Sequence, residues 1–191
     1  STATTGEDGK ASVTLTAPDS PDESTVKATT SGGTSGATTV FFKKEGQPDV
    51  EAIKSEVAGK GEEESTVDAR KEANTVARTK KKKDSVDKEV ATTVAKYDGN
   101  PGDKKALNTG PGGYLDVHVN EPDAVEEMTM RVYLDPWPNE PMIKYWDEES
   151  ASWEPFRKYE TYPDEGYVEG IITKDTDPSV GYLSGLPVAA G

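Results

Sequence analysis

Short segments in which apolar and polar residues alternate with a period of two are the feature that most constrains the fold of this chain. ASVTLT at residues 11–16, VATTVAKY at residues 90–97 and YLDVHV at residues 114–119 show the pattern most clearly. Alternation of this kind places successive side chains on opposite faces of a strand. Turns rich in Gly, Pro, Asn and Asp separate such segments along the chain. The sequence therefore predicts an all-β fold of many short strands.

The aromatic residues divide the chain into two regions. All eight Tyr and all three Trp lie in residues 97–191, whereas the first 96 residues hold only Phe41 and Phe42 as aromatic residues. A chain of 191 residues is long enough for one large or two small domains. We therefore expect two modules, at residues 1–44 and 65–191, joined by a linker or connecting strand at residues 45–64, with the strand at 50–57.

The first module is predicted to contain three strands, at residues 11–17, 25–29 and 37–42. The run from Gly6 to Phe42 resembles the second half of a bacterial Ig-like domain of the intimin and invasin type. The matching residues are Asp8, Gly9, Ala11, Val13, Leu15, Thr16, Val26, Ala28 and Thr29. Because the family's domain has about seven strands in two sheets, the resemblance implies an Ig-like β-sandwich that is incomplete within this chain.

Three strands with one apolar face are barely a stable unit, and an open sheet edge is a template for pairing. Two completions are open: the first half lies upstream in a longer precursor, or another chain adds a strand. The second completion predicts a subunit interface in the first module. Its candidate residues are Val13, Leu15, Val26, Val40, Phe41 and Phe42.

The second module is predicted to be a β-sandwich of seven or eight strands. The predicted strands cover residues 65–69, 90–97, 114–119, 128–134, 143–146, 153–157, 167–173 and 186–190. Between the first two we expect a lysine-rich loop that includes Lys80–Lys83, with a helix over residues 68–83 as the alternative.

The second module also resembles a known family, the C-terminal module of large secreted surface proteins of archaea and bacteria. The matching residues are Lys96, Tyr97, Asn100, Pro101, Tyr114, Asp116, Val117, Trp146, Trp153, Pro178, Ser179, Leu183, Gly185 and Pro187. Glu148–Ser150 replaces the family's short Gly turn, and Val188 stands where Phe is usual. The resemblance implies an extracellular β-sandwich without catalytic residues.

Composition excludes several classes of partner and site. A net charge of −14 argues against nucleic acid or an anionic membrane surface, because both require basic patches. With no Cys there is no disulfide framework and no thiolate metal site. No apolar run is long enough to predict a membrane span. The opening STATTGEDGK lacks the features of a signal peptide, so we expect either a processed chain or a piece of a longer one.

Candidate ligand sites are few. Asp98, Asn100 and Asp103 lie on a Gly- and Pro-rich turn that could hold structural Ca²⁺, although the complete calcium-loop pattern is absent; a hydrogen-bonded turn is the alternative. No other cofactor is predicted. The lone His118 is expected on the polar, solvent-facing side of its strand.

The aromatic residues of one predicted hairpin allow two interpretations. Tyr145, Trp146 and Trp153 could stack on a glycan, or these large rings could fill the interior of the module. Trp146 and Trp153 flank an acidic turn and are predicted to contact each other.

The sequence thus favours a non-enzymatic extracellular protein of the cell surface. We expect a structural subunit of a filament, sheath or surface layer that assembles by strand complementation. Its partners would be other copies of itself or a longer surface protein. The alternative is a carbohydrate-binding adhesin module that uses exposed Trp and Tyr.

Overall fold

The computed structural model describes residues 3–4, 6–7, 9–16, 22–29, 35–42, 48–101 and 113–191, and of residues 22, 23, 35, 41 and 42 it describes the backbone alone. Strands dominate this part of the chain. In chain order they are β1 Asp22–Thr29, β2 Ser35–Phe42, β3 Val50–Ala58, β4 Glu64–Ala69, β5 Thr75–Lys81, β6 Val90–Tyr97, β7 Tyr114–Val119, β8 Val125–Tyr133, β9 Ile143–Asp147, β10 Ser152–Pro155, β11 Tyr159–Tyr162, β12 Tyr167–Thr173 and β13 Val188–Ala190.

Helical segments in the described residues are single turns. The two α-helices are α1 Arg70–Ala73 and α2 Val180–Leu183, and the two 3₁₀ turns are Lys83–Ser85 and Pro122–Ala124.

Two antiparallel sheets form a sandwich, which confirms the predicted all-β class. One sheet has six strands in the order β10-β9-β13-β7-β6-β3, and the other has five in the order β11-β12-β8-β5-β4. At one side of the sandwich the edge strands are β3 and β4, and at the opposite side they are β10 and β11. Because β3 pairs with β6 over residues 50–58, the predicted connecting strand belongs to the six-stranded sheet.

The core lies between the sheets and follows from the period-two alternation. In β7, Leu115, Val117 and Val119 are at most 1% exposed and pack into the core cluster. Polar residues also cross this interior where they can satisfy each other: the Thr79 and Thr92 hydroxyls, one on each sheet, are 2.7 Å apart. Buried hydroxyls that are hydrogen-bonded avoid most of the desolvation cost.

The β1–β2 hairpin packs on the outer face of the six-stranded sheet. The Thr39 hydroxyl of β2 donates to the Thr93 hydroxyl of β6 at 2.8 Å, and Ser55 of β3 lies 2.7 Å from the same Thr93 oxygen. Lys27 of β1 forms an ion pair with Glu89. Residues of the first module therefore contact the second through side-chain hydrogen bonds and a charge pair.

Two secondary-structure predictions were wrong. The expected lysine-rich loop, and the alternative helix over residues 68–83, give way to one helical turn and β5, because residues 75–81 alternate in burial with Thr75, Ala77, Thr79 and Lys81 facing inward. The strand expected at residues 11–17 is absent from the described residues 11–16, which pair with no described strand. Residue 17 lies outside the described part.

Candidate assembly surface

The segment Ala11–Thr16, here called the N-terminal segment, is the most unusual surface of the described chain. All six residues are exposed and have no regular structure, and no hydrogen bond joins them to a described residue. Val13 is 46% exposed and Leu15 is 44% exposed, the highest values for large hydrophobic residues in the described part. Exposure of large apolar side chains on one face of a potential strand is typical of an interaction site.

The other predicted interface residues are placed differently. Val26 and Val40 are half-buried within the β1–β2 hairpin. Phe41 and Phe42 belong to β2, but their side chains lie outside the described part of the structure. Of the six predicted interface residues, Val13 and Leu15 are therefore the two that the structure shows exposed.

Near the β4 side of the sandwich, the buried ammonium group of Lys81 joins two loops. Lys81 is 2% exposed, and its Nζ donates to the backbone carbonyls of Gly59 at 2.8 Å, Val86 at 3.1 Å and Lys88 at 2.8 Å. Three acceptors match the three protons of an ammonium group. Lys81 thus ties the β3–β4 turn to the segment that precedes β6.

Charge is unevenly distributed along the chain. Residues 54–88, which include most of β3 and all of β4 and β5, carry ten Lys or Arg and eight Asp or Glu, a net charge of +2. Residues 114–191, which supply β7 to β13, carry five Lys or Arg and seventeen Asp or Glu, a net charge of −12. Of these two stretches, the one that contains β4 repels an acidic partner less.

The predicted Trp pair lies on the outer face of the six-stranded sheet. Trp146 and Trp153 are register partners on β9 and β10, with ring centroids 5.6 Å apart and planes at 67°. Trp153 also contacts Tyr114, with centroids 5.5 Å apart. Trp146 is 9% exposed and Trp153 is half-buried, so little of the Trp146 ring remains accessible to a ligand.

Tyr145 points to the opposite face, into the core, because it directly precedes Trp146 in a strand. It is 5% exposed and packs edge-on against Phe156. Burial, followed by its hydrogen bond to Asp177 at 2.9 Å, raises the pKa of the Tyr145 hydroxyl above its ordinary value. Tyr145 therefore cannot share a glycan platform with Trp146 and Trp153 in this conformation.

A second tyrosine–carboxylate pair fixes the β9–β10 turn to α2. The Tyr182 hydroxyl donates to Asp147 Oδ1 at 2.5 Å, and the backbone N–H groups of Glu149 and Ser150 donate to the same carboxylate at 3.2 Å. These donors, the Tyr182 hydroxyl first, lower the pKa of Asp147 to about 2. The same hydrogen bond, with a smaller effect of burial, raises the pKa of Tyr182 to about 12.

We expect the folded chain to lose stability as the pH rises through 10 to 12. Tyr182, and likewise Tyr162 beside Glu160, has a folded-state pKa of about 12, above its ordinary value of about 10. A raised pKa contributes stability that is present below pH 10 and is lost as the unfolded chain ionises first. Melting temperature and tyrosinate absorbance, both measured against pH, test this expectation.

Tyr182→Phe is the matched variant for the alkaline experiment. It removes the Asp147 hydrogen bond and one raised tyrosine pKa, so its melting temperature should fall less steeply above pH 10 than that of the native chain. Titration of every tyrosine near pH 10 in the folded protein would contradict the assignment.

The remaining predicted sites are placed as follows. The prediction of a solvent-facing His118 was wrong: the side chain is 9% exposed, and its Nδ1 lies 3.0 Å from the Ser184 hydroxyl, supplied by the residue after α2.

Asp98 and Asn100 follow β6, whereas Asp103 lies outside the described residues. Within the described ranges no three His, Cys, Asp or Glu side chains converge to form a metal site. No described helix has the length and hydrophobicity needed to cross a membrane.

In comparisons with known proteins, no family model, no curated protein and no solved structure matches the chain. The candidate surface therefore depends on geometry alone. Sequence reasoning identified Val13 and Leu15 but missed the role of Lys81, although the alternation of residues 75–81 was a signal that this lysine faces the interior.

Proposed function

We propose that this chain is an extracellular structural subunit of a cell-surface filament, sheath or layer, and that copies assemble when one donates a strand to another. The observation that carries the proposal is the N-terminal segment. Its apolar and polar residues alternate as in a strand, and yet the segment is exposed and pairs with no described strand. Addition of a strand to a sheet edge satisfies the backbone of both partners and buries alternate side chains. The resemblance of both modules to surface proteins supports the extracellular location.

The energetic gain from this contact is moderate and suits repeated assembly. Val13 and Leu15 are each roughly half exposed, so burying the remainder is worth about 1 kcal/mol for each side chain. Loss of both contributions should weaken association by about 30-fold.

The experiment compares two double variants of the N-terminal segment. Val13→Asn with Leu15→Asn removes the apolar face, whereas Ser12→Gln with Thr14→Gln changes the polar face by the same number of residues. We expect the native chain and the second variant to form oligomers or fibres by sedimentation and electron microscopy, and the first variant to remain monomeric at concentrations up to about 30 times higher. All three should melt alike when dissociated.

Two results would overturn the proposal. One is a native chain that remains monomeric at every accessible concentration. The other is assembly that is unchanged in the Val13→Asn, Leu15→Asn variant. Either would leave the N-terminal segment without a role in association.

The carbohydrate-binding alternative stays a prediction with less geometric support. Of its three predicted residues, Tyr145 packs in the core and Trp146 is 9% exposed. Trp153 alone of the three retains a half-buried ring, on which Tyr114 already packs.

A further inference from the structure

The four lateral edges of the sandwich differ in their capacity to accept a strand. β10 and β11 have four residues each, and β10 ends with Pro155, which has no N–H to donate. β3 is longer, but its pairing register shifts between Ala52 and Lys54, and the β1–β2 hairpin lies alongside it. β4 has six residues, no proline and an unbroken register with β5. β3 lies close to β4 but does not pair with it.

The outer edge of β4 has backbone groups that pair with no described strand. Among the described strands β4 pairs with β5 alone. The Asp68 carbonyl points away from β5, because it accepts a hydrogen bond from Lys54 Nζ at 3.3 Å. Since backbone groups alternate in direction along an antiparallel strand, the N–H and C=O groups of Glu64 and Thr66 also point outward. Both residues are exposed.

The N-terminal segment matches this edge in length and pattern. Both have six residues. In an antiparallel arrangement with Val13 opposite Val67, Ala11 lies opposite Ala69 and Leu15 opposite Ser65. The apolar residues of the added strand then share the core-facing side of β4, where Val67 and Ala69 are fully buried.

The same register places the polar residues together on the outer side. Ser12, Thr14 and Thr16 lie opposite Asp68, Thr66 and Glu64, the three residues whose backbone groups point outward. A one-residue shift would turn every side chain to the wrong face, so the alternation selects this set of registers.

A cavity and the charge distribution both favour the β4 side. A cavity of about 570 Å³ lies where β3, the end of β4 and α1 meet, and it is lined by Ile53, Lys54, Asp68, Arg70, Lys71 and Glu72. Ile53 is a partly buried residue that packs against the core, so it offers an apolar contact to an arriving side chain. A second copy has a net charge of −14 and approaches most easily where the net charge is +2.

We propose that the outer edge of β4 receives Ala11–Thr16 of a second copy of this chain as an antiparallel strand. This inference rests on the proposed function and adds the acceptor and its register. It leaves the β4 backbone as it is and requires the Lys54 side chain to release the Asp68 carbonyl.

The absence of native cysteine permits a direct test by disulfide trapping in the full chain. Chains with Thr14→Cys are mixed with chains of different mass tag that carry Thr66→Cys, or with chains that carry Thr161→Cys on β11 as the matched control. Because disulfides form when Cα atoms are roughly 4.4–6.8 Å apart, we expect about tenfold more mixed dimer with Thr66→Cys than with Thr161→Cys. Amide hydrogen exchange of the native chain provides a readout without substitution: the amides of Glu64 and Thr66 should become protected on assembly.

The outcomes separate the two proposals. Equal or greater trapping with Thr161→Cys, or unprotected Glu64 and Thr66 amides in the assembled chain, refutes β4 as the acceptor while strand donation stands. Intramolecular trapping in a single chain with both Thr14→Cys and Thr66→Cys, at high dilution, shows self-completion and refutes the second copy. A native chain that never assembles refutes the proposed function itself.

Discussion

Replacing Lys81 by Met should lower the free energy of unfolding by about 3 kcal/mol, because three backbone carbonyl groups lose the buried ammonium donor that they share. Methionine fills a similar volume, so the loss reports on hydrogen bonding more than on packing. The three acceptors belong to Gly59, Val86 and Lys88, so two loops are released together. For a chain of this size the melting temperature should fall by about 6–12 °C.

Lys83→Met is the matched control for this prediction. Lys83 is exposed and two residues away, and its replacement should change the free energy of unfolding by no more than about 0.5 kcal/mol. Equal effects of the two substitutions in chemical denaturation would show that the three hydrogen bonds of Lys81 contribute nothing specific.

Replacing Gly170 by Ala should destabilise the fold by about 2 kcal/mol through overpacking. A Cβ atom at this position would lie 2.8 Å from one ring carbon of Phe156 and 3.3 Å from Ile143 Cδ1. Phe156 is 2% exposed and lies between the sheets, so its ring cannot move into solvent. Thermal melting should show a decrease of about 4–8 °C.

A double variant identifies the cause of the Gly170 effect. Phe156→Leu removes the ring atoms that collide, so its combination with Gly170→Ala should cost less than the sum of the single changes. Gly36→Ala is the control, because a Cβ there meets no atom within 4 Å and should leave melting nearly unchanged. Strict additivity in the double variant would place the origin of the effect elsewhere.

The sequence predicted the strands whose alternation is regular. The strands predicted at residues 90–97, 114–119 and 167–173 have the bounds that the structure gives them. In each of them β-branched and apolar residues recur with period two, and the side chains face a shared core. Local pattern and tertiary packing agree there, which is the condition under which pattern reasoning succeeds.

Two secondary-structure predictions were wrong, one because a strand carries many charged residues and the other because a predicted strand has no described partner. β5 contains two lysines and an arginine, so its charge suggested a loop or a helix, although its inward side chains include the hydrogen-bonded Lys81. Residues 11–16 alternate as clearly as β7, but alternation predicts the capacity for pairing and cannot supply the partner strand. The structure shows no such partner within the described part of the chain.

The candidate surface was predictable in part, because alternation indicates which segment can pair but not which edge receives it. The sequence names Val13 and Leu15 as interface candidates because the predicted sheet is incomplete, whereas the edge position of β4 depends on which strands neighbour it, a property that local pattern does not contain. The Trp pair illustrates the limit: alternation places Tyr145 and Trp146 on opposite faces of β9, but it does not say which face is outside.

The segment that we propose is donated and the edge that we propose receives it are separate parts of one chain, so an open polymer built from this contact would have a direction. A contact between two different surfaces builds an open polymer unless two copies exchange segments reciprocally or the chain of contacts closes into a ring. Each incorporated copy would consume one edge and expose another, so one end of a polymer would present a bare β4 and the other a loose segment. A synthetic peptide with the sequence of residues 11–16 would then block growth at one end only.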